Sequence, residues 1–178
     1  MFEEYLQDSY EFLSLGNKSA RESKDREARR YYRASVFYAS GAIEAFVNYI
    51  ADSFVQAGNI TTPHEISFLN DKALTFSVDR GISEKTEYHR LDEKLRLLIR
   101  KFVPDFDFQS PTWAKFMEFK DFRDSLVHPR QIDDETTTGE YRKRVTNGLK
   151  AIIELMNIVS KGMFQKPLRK QLLDLIPD

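Results

Sequence analysis

From Lys18 to Ala57 the chain contains no proline and a single glycine, Gly41. Forty residues without a breaker read most economically as one long helix, and every other element has to pack around it. Its two halves differ. Lys18 to Arg33 carries Lys18, Arg21, Lys24, Arg26, Arg29, Arg30 and Arg33 among Glu22, Asp25 and Glu27. Such density is expected either of a solvated face laced with i,i+4 ion pairs or of a basic ridge for a phosphate backbone. Ala34 to Val55 is apolar almost all round, as befits a helix at the centre of a bundle. The exceptions, Ser40, Glu44, Asn48 and Asp52, recur every four residues and line up as one polar ridge. These polar residues also argue against a membrane span.

The flanking segments supply partners for that helix. Phe2, Tyr5, Leu6, Phe12 and Leu13 suit the apolar face of a first helix ending near Gly16-Asn17. Gly58-Asn59 stops the long helix, and Thr62-Pro63 opens a turn and a short helix. Lys72 to Gly81 alternates like a strand at Leu74, Phe76 and Val78, but no second strand-like run offers a mate, so it is expected to be a connection. A further helix is expected from Ser83 to Phe102, ended by Pro104. Ser110-Pro111 then caps a helix running to about Val127. Gln131 to Gly139 reads as a polar loop, Tyr141 to Phe164 as the last long helix, and Leu168 to Ile176 as a short terminal one. The expected fold is all-α: an up-and-down four-helix bundle with short additional helices, one domain over residues 1–178 with its core at about 18–164.

Composition removes several functions. The absence of Cys excludes thiol nucleophiles, disulfides and cysteine metal sites. A formal charge of −1 advertises no global field for nucleic acid, so any such binding needs a local patch. The acidic N-terminus Met-Phe-Glu-Glu-Tyr lacks the features of an export signal, and a cytoplasmic location is expected. No Glu-x-x-His pair supports a carboxylate metal site, no glycine-rich phosphate loop is present, and no recognition helix on a basic background suggests a sequence-specific DNA reader.

Chemistry concentrates in Phe122-Arg123-Asp124-Ser125-Leu126-Val127-His128-Pro129. Phe116, Phe119, Phe122, Leu126 and Val127 form one broad apolar arc of the helix, and Arg123 falls inside it. A guanidinium there must be paired, reach an edge, or sit at an interface. Asp124 and His128 are four apart, and Pro129 places the imidazole at a frayed helix end. His64 and His89 are expected in solvent-exposed roles, the latter on a charged helix face. One arginine-to-histidine spacing of this kind is about what composition gives by chance, so its weight comes from its surroundings.

Those surroundings resemble the HEPN family. Arg123 to His128 is similar to its R-x(4-6)-H motif, including the polar residue after the arginine. Ala42-Ile43-Glu44-Ala45-Phe46-Val47-Asn48 resembles the second-helix segment, and Leu69-Asn70-Asp71-Lys72 the linker before the third helix. His128-Pro129 departs from the glycine or small residue many members carry there. The resemblance spans about Ala34 to Met163 and implies a homodimeric, metal-independent endoribonuclease, a toxin or defence effector that leaves 2′,3′-cyclic phosphate ends. Arg123 and His128 would be catalytic, one histidine as base and its mate as acid, with Arg123 stabilising the phosphorane. Asp124, Glu44 and Asn48 would support and orient them. The implied partners are a second copy through the Arg123–His128 helix, RNA, and an antitoxin or regulatory protein, with no cofactor, metal or membrane. The alternative is a non-catalytic dimerisation or partner-binding module on the same bundle.

Overall fold

The computed structural model describes residues 1–57, 62–79, 81–128 and 136–177, with the side chains of 55–57 excepted. The expected stop at Gly58-Asn59 and most of the loop from Gln131 lie outside these residues. The described chain is mostly helical: α1 (Phe2–Arg21), α2 (Asp25–Ala57), α3 (Pro63–Leu69), β1 (Lys72–Ser77), β2 (Gly81–Thr86), α4 (Leu91–Phe102), α5 (Pro111–Val127), α6 (Thr138–Phe164) and α7 (Lys170–Leu173). None of the described helices is long and apolar enough to cross a membrane.

The first break falls at Ser23 rather than at Gly16-Asn17, so the expected single helix from Lys18 is divided. Ser23 adopts the left-handed conformation, φ 58°. Its N–H donates to the Ala20 carbonyl at 3.1 Å, and the Lys24 N–H donates to the Ser19 carbonyl at 2.9 Å. This pairing satisfies the last carbonyls of α1 and reverses the chain in three residues. Gly16 acts elsewhere, at the contact between helices. A Cβ there would meet the Tyr32 ring at 2.5 Å, so its missing side chain lets α1 and α2 close. Ser23→Gly is expected to stabilise the protein by about 0.5–1 kcal/mol, because glycine avoids the left-handed penalty at a modest entropic cost; a thermal melt checks it.

Helix α2 spans about 50 Å at 1.5 Å per residue. Ala28, Tyr32, Val36, Ala39, Ala42, Ile43, Phe46, Val47 and Ile50 are buried along it. It runs antiparallel to α1: Phe2 stacks edge-on against Phe46 at one end, while Gly16 meets Tyr32 towards the other. Midway, the buried Ser35 hydroxyl donates to the Ser9 carbonyl at 2.7 Å and the Ser9 hydroxyl to the Ser35 carbonyl at 2.9 Å. These two bonds fix the axial register, since a slip would bury unpaired hydroxyls.

Helices α5 and α6 are also antiparallel. Thr112 donates to Glu154 at 2.8 Å, and Phe122 packs edge-on against Tyr141, centroids 5.2 Å apart. A Cβ at Gly148 would lie 2.0–2.8 Å from Phe119, so these two helices touch at a glycine as α1 and α2 do. Arg29 Nε donates to Thr138 Oγ1 at 3.2 Å, which places the start of α6 beside the start of α2. Ser110 caps α5, with Pro111 at its first position, and α5 ends at Val127 as expected. Thr137 and Glu140 form a reciprocal capping box, so α6 begins at Thr138, three residues before the expected Tyr141.

The connection expected over Lys72 to Gly81 is instead the first strand of a hairpin. β1 pairs antiparallel with β2 in the register Leu74↔Glu84, Thr75↔Ser83 and Phe76↔Ile82. The second strand, Gly-Ile-Ser-Glu-Lys-Thr, has one apolar side chain and is exposed almost throughout, so no alternation marks it. Its ladder commits Ser83 to Thr86, and α4 therefore starts at Leu91 rather than Ser83, with Glu93 reaching back to the Arg90 N–H at 3.2 Å. His89 consequently lies before α4 rather than on a helix face. It is half-buried and stacked on Phe68 with centroids 4.0 Å apart, whereas His64 is exposed as expected.

Candidate functional site

Arg123 sits where α5 crosses α2, and its guanidinium faces carboxylates on both helices. Its Nη1 donates to Asp124 Oδ1 at 3.0 Å, and Nη2 lies 3.7 Å from Glu44 Oε1. The side chain is 34% exposed, yet Nε is buried with no acceptor among the described residues. The arginine thus reaches an edge from within the apolar arc, where Phe116, Phe119 and Phe122 bury the rest of the helix face.

Asp124 joins Arg123 to a second cation, accepting from Lys120 Nζ at 3.3 Å. Burial is the largest single influence on its carboxyl and pushes the pKa up. The hydrogen bonds and charges of Arg123 and Lys120 together outweigh burial and hold it below the ordinary aspartate value. Lys120 is also 3.9 Å from Asp92 Oδ1, and Asp92 accepts from Arg90 Nε at 3.1 Å. Arg90, Asp92, Lys120, Asp124, Arg123 and Glu44 therefore form a chain of alternating charge that ties α4, α5 and α2 together. It borders a cleft of about 240 Å³ with an apolar floor of Ile43, Leu91, Phe116 and Phe119.

Of the residues singled out by sequence, Arg123, Asp124 and Glu44 come together. Asn48 is one turn further along α2, exposed, and lines a different groove with Tyr49 and Asp52. In the ridge Ser40, Glu44, Asn48 and Asp52, only Ser40 is buried, so the ridge is largely a wet edge. His128 caps α5: its backbone N–H donates to the Asp124 carbonyl at 2.9 Å, and its side chain is exposed. The side-chain pairing of Asp124 with His128 is not formed, because the carboxylate is already taken by Arg123 and Lys120. The imidazole lies outside the cleft lining.

Sequence reasoning passed over Lys120, Arg90 and Asp92. Lys120 carries a signal, lying four residues before Asp124 on the same helix face. Arg90 and Asp92 carry none, since they reach the cleft only through the packing of α4. Among the described residues no group of three or more His, Cys, Asp or Glu side chains could hold a metal ion. The site can therefore offer a fixed guanidinium, a second ammonium, an ionised carboxylate between them, and a free imidazole nearby. No family model, no curated protein and no solved structure matches the chain, and its role has to be argued from these residues.

Proposed function

We propose that the chain is a HEPN-like four-helix bundle built from α1, α2, α5 and α6, with α3, the hairpin and α4 inserted between α2 and α5. It would act as a homodimeric, metal-independent endoribonuclease of toxin or defence type. The observation that carries this reading is the pairing of a fixed Arg123, held by Asp124 and Glu44 at the edge of a cleft, with an unencumbered His128 one and a half turns further along α5. Exposed apolar side chains on the same two helices, Val127 of α5 at 40% and Phe37 of α2 at 45%, support covering by a second copy.

In such a dimer two histidines share one site. One imidazole takes the proton from a ribose 2′-hydroxyl as that oxygen attacks the adjacent phosphorus; the other gives a proton to the departing 5′-oxygen. The products carry a 2′,3′-cyclic phosphate and a 5′-hydroxyl. Arg123 donates to the equatorial oxygens as charge builds on them, and Asp124, kept ionised by Arg123 and Lys120, holds the guanidinium in place.

A second reading is favoured by the carboxylates themselves. Asp124 and Glu44 offset the charge of Arg123, and His128 lies outside the cleft, as expected of a non-catalytic dimerisation or partner-binding module. Incubating the purified protein with labelled RNA pools in EDTA, alongside light scattering, separates the two. Cleavage to cyclic phosphate ends supports the nuclease; a dimer that cleaves nothing supports the module. An inactive monomer sinks the nuclease and the dimerisation module, leaving only binding of another partner.

A further inference from the structure

We propose that the end of the molecule where α1 finishes and α2 and α6 begin is a binding surface for the phosphate backbone of RNA, leading the strand to Arg123 and His128. The proposal rests on the RNA-cleaving reading above and adds a site that reading does not contain. Three chain segments converge at this end. Arg29 of α2 is tied to Thr138 of α6. The Tyr32 hydroxyl, whose pKa is raised by burial, feels the opposing charges of Arg142 and Arg21 from α6 and α1. The end of α5 lies here too, since Phe122 packs on Tyr141 in the first turn of α6.

The charge is lopsided. Lys18 to Arg33 holds seven cations against three anions, and Thr138 to Arg144 three against one, in a chain whose net formal charge is −1. Residues 129–135, which carry Arg130, Asp133, Asp134 and Glu135, lie outside the described residues. The i,i+4 pairs that would make this a self-neutralised face are not formed. Arg21, Arg26, Arg29, Arg30, Arg33 and Arg142 have no carboxylate within salt-bridge distance among the described residues. Nearby, Glu22 is taken by Lys24 and Glu27 accepts from the Tyr31 hydroxyl, so Asp25 is the one local acid without such a tie.

Arg26, Arg30 and Arg33 recur at helical spacing on one face of α2, forming a row that runs along the helix towards Glu44 and the cleft. Among the described residues Lys18, Lys143 and Arg144 are unpaired as well, so seven of the nine unpaired cations of these two segments are arginines, whose planar forks match phosphate oxygens in pairs. A membrane surface is the poorer fit, because an interfacial helix needs its apolar face free, and here Ala28, Tyr32 and Val36 are fully buried.

The test uses full-length His128→Ala protein, in which cleavage of the probe is expected to be slowed at least about a hundredfold, and fluorescein-labelled single-stranded RNA followed by anisotropy across a salt series. Binding is expected to weaken at least about tenfold in the triple variant Arg26→Gln/Arg30→Gln/Arg33→Gln. The slope of log affinity against log salt should fall by about 2, at roughly 0.7 for each phosphate no longer neutralised. The corresponding lysine triple should keep the slope. Circular dichroism checks folding, and should the triple not fold, Arg21→Gln/Arg142→Gln on the other two helices should lower the slope by about 1.4. Unchanged affinity and slope overturn the proposal, as does a parent that ignores RNA or binds phosphatidylserine vesicles instead. Wild-type protein that binds through these arginines but cleaves nothing removes the catalytic reading alone; wild type that cleaves while the glutamine triple keeps full binding removes this one alone.

Discussion

On the proposed ribonuclease reading, RNA cleavage by His128→Ala is expected to fall by about 10²–10⁴-fold in kcat, the usual worth of a general acid or base, with melting temperature and oligomeric state unchanged. The structural half follows from exposure: the imidazole is open to solvent and lies outside the cleft lining, so its removal costs no packing. Arg123→Ala should differ in kind. It removes the donor proposed to stabilise the phosphorane, worth about 10²–10³-fold, and it also leaves Asp124 and Glu44 facing each other without the cation between them. One of the two hydrogen bonds that hold the Asp124 carboxyl low is then gone, so its titration should move up towards the ordinary aspartate range, which carbon-detected NMR reads directly. In the wild type the sign is fixed by that depression. The stability contributed by Asp124 is present above its unfolded value and is lost as pH falls through the lower folded one. Activity equal in wild type, His128→Ala and Arg123→Ala would show the motif to be structural.

Asp71→Ala is expected to destabilise the protein by about 3–5 kcal/mol, because it strands a buried ammonium. Lys94 is only 7% exposed and its Nζ lies 2.6 Å from Asp71 Oδ2, while Asp71 Oδ1 accepts the His89 N–H at 2.8 Å. Asp71 also holds a left-handed conformation, φ 56°, and its carbonyl accepts from Glu87 at 2.9 Å. One residue thus joins the end of α3, the hairpin and the approach to α4. At roughly 2–4 °C per kcal/mol for a chain of this size, the lower bound already lowers the melting temperature by about 6–12 °C. Burial, the largest influence, raises the Asp71 pKa, but the His89 and Lys94 hydrogen bonds and charges prevail and hold it below its ordinary value. Its contribution is therefore full above the unfolded aspartate range and disappears on acidification, so Asp71→Ala should flatten the acid limb of the stability profile. Adding Lys94→Met should recover part of the loss, since no unpaired charge then remains. The site should feel the change as well, because α4 carries Arg90 and Leu91 into the cleft.

The elements that sequence places well are those whose ends are written in local chemistry. Ser110-Pro111 begins α5 and Pro104 closes off α4 because a cap hydroxyl and a missing N–H act within one turn. The break at Ser23 has no such mark. Gly16, the residue that reads as a stop, is a point of contact with Tyr32, while an ordinary serine takes the left-handed position. β2 is illegible for the opposite reason: its side chains face water, so burial imposes no alternation on them.

For the candidate site the same division holds. The sequence by itself determined that Arg123 and Asp124 share a helix end with His128, and that Glu44 stands on a polar ridge of a long apolar helix. Only the tertiary structure decided that Glu44 and Arg123 meet, that Asp124 turns to Lys120 rather than to His128, that Arg90 and Asp92 arrive from α4, and that arginines of three helices gather at one end. Neighbours within a turn are fixed by helical geometry, which any sequence displays. Neighbours between helices are fixed by how close two backbones come, a distance that glycines set at the α1–α2 contact (Gly16 under Tyr32) and at the α5–α6 contact (Gly148 under Phe119).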